Sequence, residues 1–244
     1  MRWLMYSLAG LVAGCTDSGE AARVEIPVTT ASSVFAPATT DLGYVVNISE
    51  MQAAVSTIQF TIEGERHQDI VVPPGTIAHP GHSAGGEVTG ELPGEHVLVW
   101  NGQPHAPLGT GTLIAGAYRG ANFTFRAATV ADDVPALVGH AIHLAGTATK
   151  AGTTMPFDIL IDVEVDTAII GAVFEDEITE TSMGTLSIAF LPTDPDESDT
   201  PLDGVDFFLL PTTQGAIEIR PGSETHNLVR RVITTHDHYG ITKI

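Results

Sequence analysis

The strongest β-strand pattern in the chain lies in GYVVNISEMQAAVSTIQFTIEGE, residues 43–65. In its second half Ile58, Phe60 and Ile62 alternate with polar side chains. Because successive side chains of a strand point to opposite faces, this alternation predicts one face in a core and one in water. We expect two strands in this stretch, the second ending near residue 62.

Segments of the same kind recur along the chain, separated by Gly and Pro. They are residues 24–30, 97–100, 111–115, 121–127, 142–149, 155–165, 169–175 and 186–191. KAGT, residues 150–153, predicts a hairpin turn between two of them. Short strands at this spacing favour an all-β fold, a single antiparallel β-sandwich of jelly-roll or immunoglobulin-like type, over a βαβ fold.

A helical pattern appears near the C-terminus. After Pro221-Gly222, Ser223 is suited to be the N-cap of ETHNLVRRVITT, residues 224–235. We therefore expect one short C-terminal helix within the β domain.

The N-terminus, MRWLMYSLAGLVAGC, has the pattern of a bacterial lipoprotein signal. Its apolar run is too short for a permanent membrane helix, which needs about 20 residues. We predict a signal peptide over residues 1–14, a lipidated tether over residues 15–23 that begins with Cys15, and a β-sandwich domain over residues 24–244.

The residue after the cysteine bears on location. In the lipoproteins that this N-terminus resembles, Asp at that position favours retention in the inner membrane, whereas this chain has Thr16. The resemblance therefore implies an outer-membrane anchor in a bacterial cell envelope, facing the periplasm or the cell surface.

The overall charge limits the partners of the protein. Thirty acidic residues against ten basic ones give a formal net charge of −20. Repulsion from phosphates makes nucleic acid an unfavourable partner, whereas cations are attracted. With Cys15 lipidated no thiol remains, so a metal would be held by imidazole or oxygen ligands.

Two histidine pairs have spacings compatible with metal binding. In HPGH, the Pro80-Gly81 turn directs His79 and His82 toward each other, and Glu87 adds an oxygen. In HDH, a terminal strand over residues 236–243 would place the rings of His236 and His238 on one face. The predicted metal ligands are therefore His79, His82, His236, His238 and Glu87. Imidazole ligands suit zinc or copper, and zinc is favoured because no thiol or methionine cluster suggests copper(I).

A second candidate is a calcium site in the acidic loop Asp194–Asp206. The loop contains five aspartates in an order that does not match an EF-hand, and we expect it to be exposed until Phe207.

His140 and His143 fit a metal site less well, because the strand predicted around Ile142 places them on opposite faces. We expect His143 to be exposed.

Two segments carry a family resemblance, YVVNISEMQAAVSTIQFTI at residues 44–62 and GTLIAGAYRGANFTF at residues 111–125. Together with the N-terminal signal, they resemble bacterial β-sandwich lipoproteins associated with metal handling, including the methanobactin-locus partner type. The resemblance implies a metal store, chaperone or uptake accessory. This chain departs from that type in having no cysteine beyond Cys15.

Two other functions remain open. One is a non-catalytic surface module that binds a glycan or an envelope protein partner. The other is a metal-dependent hydrolase with Glu87 as the base, although the sequence has no HExxH, phosphate-loop or dinucleotide motif.

Overall fold

Thirteen β-strands and one α-helix form the regular structure of residues 22–62 and 88–244, the part of the chain that this computed structural model describes. The strands are β1 (Arg23–Thr30), β2 (Ala38–Thr39), β3 (Val45–Thr61), β4 (Val88–Trp100), β5 (Gly109–Ile114), β6 (Gly116–Phe125), β7 (Ile142–Lys150), β8 (Thr153–Ile161), β9 (Ala168–Ile178), β10 (Leu186–Phe190), β11 (Thr212–Thr213), β12 (Ala216–Ile219) and β13 (Tyr239–Lys243). The helix is α1 (Glu224–Ile233). The predicted signal peptide and most of the tether lie outside the described residues.

One long strand, β3, replaces the two strands predicted in the opening stretch. Its ladders contain register shifts, one of them between Ser56 and Ile58, which bend the strand without ending it. From Met51 to Val55 every residue is buried, because Ala54 on the outer face packs in a second cluster with Ala128 and Leu137. A run buried on both faces has no period of two, so its continuity was not visible in the sequence.

The length of β3 allows it to pair with three main neighbours. Along one edge it pairs with β4; along the other it pairs first with β7 and then with β6. Following the pairing from β4 through β5, β1, β10, β13, β9 and β6 leads back to β3. We call this closed path of eight strands the circuit.

The remaining strands extend the sheet away from the circuit. From β3 the order is β7, β8, β12 and β11, and the short β2 also pairs with β3. We call β7, β8, β12 and β11 the extension. The predicted hairpin turn joins β7 to β8: Lys150 pairs with Thr153, and Ala151 and Gly152 have φ of 51° and 79°, as a tight hairpin turn requires.

The sheet is mixed, whereas the sequence pattern predicted an antiparallel one. The pairs β1–β10, β8–β12 and β9–β13 are parallel. Their members are far apart in the sequence, and parallel neighbours need long connections that no local turn pattern reveals. The prediction of a mostly β chain with one C-terminal helix is confirmed.

Aromatic side chains fill the inside of the circuit. The ring of Tyr239 on β13 lies 5.3 Å from that of Phe123 on β6 and 5.8 Å from that of Phe190 on β10, between centroids. Trp100 on β4 donates its indole N–H to the carbonyl of Ile188, 2.8 Å away. Strands that are not neighbours in the circuit therefore share one core.

Helix α1 packs against this core through Val229 and Ile233. As predicted, Ser223 caps it: the Ser223 hydroxyl accepts a hydrogen bond of 3.0 Å from the backbone N–H of His226. In residues 22–62 and 88–244, no helix has the length and hydrophobicity needed to cross a membrane.

Candidate metal centre

The HDH segment forms a 3-10 turn, not the first part of a strand, and β13 begins after it at Tyr239. The backbone N–H of Leu191 donates to the carbonyl of His238, and the His238 Nδ1 lies 2.9 Å from the carbonyl of Leu191. These bonds hold the turn against the end of β10. The prediction of a strand over residues 236–238 is wrong because the chain changes direction here between α1 and β13.

The two histidines of this turn have different surroundings. His238 is buried, and its Nδ1 is already used in the contact with Leu191. The Nε2 of His236 lies 3.1 Å from the Oδ1 of Asp237. A turn does not impose the common orientation that a strand gives to residues i and i+2.

The other predicted ligands, His79, His82 and Glu87, lie outside the described residues, as do Cys15 and His67. The site that combines HPGH with HDH therefore stays a prediction.

The acidic loop is organised by Asp194, which is only 4% exposed. Its Oδ1 accepts hydrogen bonds from the backbone N–H groups of Asp196 at 2.6 Å and Glu197 at 3.2 Å. Its own N–H donates to the carbonyl of Asp199 at 2.9 Å. An Asp side chain that bonds the backbone two residues ahead produces a tight turn, so the loop folds back on itself.

This turn brings three carboxylates together. One oxygen from each of Asp194, Glu197 and Asp199 lies within 4.8 Å of the others. Oxygens at about 2.4 Å from a shared calcium ion are at most about 4.8 Å apart, so this spacing fits one bound cation. We call these residues the acidic triad.

Asp199 is the member of the triad whose negative charge is compensated least. Its Oδ1 is buried and has no hydrogen-bond partner among the described residues. Burial raises the pKa of Asp199, and the charges of Asp194, Asp203 and Asp237 raise it further, while His238 opposes them. A cation between the carboxylates would satisfy the lone oxygen and offset the repulsion.

Other aspartates of the loop have structural roles. Asp203 accepts hydrogen bonds of 2.9 Å from the backbone N–H groups of Thr200 and Asp41. Asp206 accepts a hydrogen bond from the Tyr44 hydroxyl and another from the N–H of Phe208. They fasten the loop to the turn before β3 and lie outside the triad.

The predicted exposure of the loop is therefore wrong in its second half. Leu202 and Val205 are buried in the main core, before Phe207. Glu197 was missed as a candidate ligand, because only the turn centred on Asp194 brings it inward. That turn does have a sequence signal, an Asp followed by Pro at the start of a polar run.

Three histidines of the described residues contact parts of the fold other than the acidic triad. His226 is a buried residue whose Nε2 accepts a hydrogen bond of 3.1 Å from the backbone N–H of Asp162. His140 lies two residues before β7, and its Nδ1 is 2.6 Å from the Oδ1 of Asp162. His143 is buried, so the prediction that it is exposed is wrong.

Comparison with known proteins assigns neither a family nor a function to the chain. No protein-family model matches the chain, and neither the curated proteins nor the solved structures gave a match. The likeness to metal-handling lipoproteins stays a prediction from the sequence.

Proposed function

We propose that this protein is a β domain held at a bacterial cell envelope by a lipid on Cys15, and that it binds a divalent cation at the acidic triad. The observation that carries the proposal is the convergence of the Asp194, Glu197 and Asp199 carboxylates within 4.8 Å. The buried, unpartnered Oδ1 of Asp199 supports it, because an uncompensated oxygen in a negative field favours a cation.

Calcium is the ion that suits this ligand set best. All three side chains offer carboxylate oxygen, which hard cations prefer, whereas zinc and copper favour imidazole or thiolate. The 3-10 turn of HDH lies beside the loop, but the Nδ1 of His238 faces the carbonyl of Leu191. Zinc or copper binding through the histidine pairs is therefore our second candidate.

The experiment compares calcium stabilisation in matched variants of the soluble chain that starts at residue 16. Free calcium at about 100 times its dissociation constant would stabilise the fold by about 2.7 kcal/mol. For a domain of this size, that corresponds to a rise in Tm of roughly 5–10 °C. We expect Asp199→Asn to lose most of this shift, because a neutral amide is a poor calcium ligand.

The control is Asp196→Asn, which removes the same charge from an exposed position of the same loop, outside the triad. It should keep the calcium shift. Equal shifts in all three proteins, or no shift in the wild type, would exclude the triad as a calcium site. A shift that appears with zinc and disappears in His79→Ala would favour the histidine site instead.

We also infer that the circuit is flattened into the two facing layers of a β-sandwich. The contact between Trp100 on β4 and Tyr239 on β13, which are not neighbours in the circuit, supports this arrangement. Facing sheets of a sandwich pack about 10 Å apart. An experimental structure with these layers much farther apart would contradict it.

A further inference from the structure

The eight strands of the circuit share one end, at which β1 begins. By their pairing registers, β1, β4, β6 and β10 begin at this end, and β3, β5, β9 and β13 finish there. Arg23, the first residue of β1, pairs with Ile114, the last residue of β5. The predicted tether, residues 15–23, therefore joins the domain at this end, which we call the tether end.

The tether is short compared with the domain. Eight peptide bonds link Cys15 to Arg23, so the tether spans about 16 Å as a flexible chain and about 28 Å when fully extended. The eight residues of β1 carry the circuit about 25 Å away from the tether end. The tether would have to run back along the whole domain to bring the opposite end to a bilayer. A lipid on Cys15 therefore keeps the tether end nearest to the membrane.

An apolar side chain projects from the tether end. Met183 lies in the connection from β9 to β10 and is 86% exposed. The hydroxyl of Ser182 accepts a hydrogen bond of 2.9 Å from the backbone N–H of Thr179, and Thr185 exchanges two backbone hydrogen bonds of 2.9 Å with Ile244. Ile244 is itself 73% exposed. A braced loop thus presents two apolar side chains at this end.

A bilayer offers these side chains the apolar surroundings that water does not. The boundary between headgroups and acyl chains removes apolar surface from water, and the tether keeps this boundary within reach of Met183. A methionine side chain is flexible and polarizable, so it adapts to an irregular surface such as lipid. The anchor therefore brings an apolar partner to the loop.

The charges of the tether end favour one class of lipid. Glu175, Glu177 and Glu180 lie on or beside the last part of β9, against Arg23 on β1 and Lys243 on β13. Anionic headgroups would be repelled by such a surface. Zwitterionic headgroups carry no net charge, so they are the lipid that this end fits.

We propose that the tether end rests on the headgroups of zwitterionic phospholipid, with Met183 and Ile244 at the lipid boundary. This contact rests on the lipid anchor at Cys15 proposed above. The acidic triad is carried at the opposite end, because Asp194 comes after the far end of β10. The triad therefore faces away from the membrane, where its carboxylates are open to ions in solution.

Methyl NMR of the tethered chain tests the contact. A chain that starts at Cys15 has one thiol, which can be coupled to a maleimide lipid in phosphatidylcholine nanodiscs. It has three methionines: buried Met51, half-buried Met155 and exposed Met183. Met155 lies in the extension, level with the beginning of β3 and far from the tether end.

With a spin label on the lipid headgroups, we expect the ε-methyl signal of Met183 to lose most of its intensity. The signal of Met155 should keep most of its intensity, because paramagnetic broadening falls steeply with distance. A loss at Met155 as large as that at Met183, or no loss at either, would overturn the proposal. This measurement on the wild type needs no variant.

Hydrogen exchange of backbone amides separates the effect of the side chain from that of the tether. Residues 179–185 should exchange more slowly in the nanodisc-coupled wild type than in the same chain in solution. Met183→Ser should lose most of this slowing. Val165→Ser should keep it, because Val165 is 91% exposed in the connection from β8 to β9 at the opposite end. Equal slowing in the two variants would also overturn the contact through Met183.

The contact and the anchor fail in different experiments. The coupling to the nanodisc is chemical, so these measurements report on the contact even if the cell does not lipidate Cys15. A missing anchor would instead appear as a full chain that is absent from the membrane fraction of the bacterial host.

Discussion

At the scale of single residues, one mostly buried ion pair holds the segment that follows β6. Arg126 and Asp132 have side chains that are 13% and 11% exposed, and the Nη1 of Arg126 donates to the Oδ2 of Asp132 at 2.9 Å. Arg126 also donates to the carbonyl of Val55 on β3. Its hydrogen bonds hold the pKa of Asp132 well below the usual range, although burial opposes them. The pair therefore ties the segment to the sheet.

We expect Asp132→Asn to lower the free energy of unfolding by about 3 kcal/mol at neutral pH, because it leaves a mostly buried guanidinium without its nearest counter-charge. A depressed pKa gives stability that is complete above the unfolded value, about 4, and is lost as the pH falls below it. The difference between wild type and variant in urea unfolding should therefore shrink in acid.

The neighbouring Asp133→Asn provides the control. Asp133 is exposed and has φ of 55°, a conformation that Asn tolerates, so this change should have little effect. Equal losses from the two variants would mean that the ion pair contributes nothing specific.

At the scale of the elements, α1 depends on its first turn. Ten residues are too few for a stable helix in isolation, so packing of Val229 and Ile233 and the cap at Ser223 must maintain it. The cap satisfies one of the N–H groups that a helix start leaves without a partner.

Ser223→Ala should therefore reduce the free energy of unfolding by about 1 kcal/mol in urea titrations. Ser223→Asp keeps an acceptor at the cap and adds a favourable charge at the N-terminus of the helix, so it should stay close to the wild type. If Ser223→Asp lost as much as Ser223→Ala, the hydrogen bond to His226 would not be the cause.

The elements also show what local sequence patterns can predict. Alternation and Gly-Pro spacing predicted most strands to within a few residues, and KAGT and Ser223 predicted the hairpin turn and the helix start, because these features depend on neighbouring residues. The continuity of β3, the parallel pairs and the 3-10 turn at HDH depend on partners distant in the sequence. The five aspartates of the acidic loop indicated a cation site. Glu197 was missed because the local turn centred on Asp194 was not predicted, whereas the burial of His143 depends on residues of other strands.

At the scale of the whole molecule, the large negative charge limits the ways in which the protein could attach to a membrane. A chain with a formal net charge of −20 is repelled by anionic lipid surfaces, so electrostatics cannot supply the attachment. We propose that the lipid on Cys15 supplies it, with residues 15–23 as the tether.

When the full chain is expressed in a bacterial host, we expect it in the detergent-soluble membrane fraction, and Cys15→Ala in the soluble fraction. Thr16→Ala keeps the cysteine, the only one in the chain, and should remain with the membrane. Wild type and Cys15→Ala in the same fraction would contradict the anchor.

The closure of the circuit sets an order of events in time. Among the strands in residues 22–62 and 88–244, the first to be made is β1, which lies beside β10, and the other neighbour of β10 is β13, the last of these strands. The circuit is therefore incomplete until the final residues of the chain are available, and contacts between such distant segments form slowly. Synthesis from the N-terminus produces a chain that cannot finish folding early. Until β13 has been made, the edge of β10 that it covers stays unpaired and open to other partners.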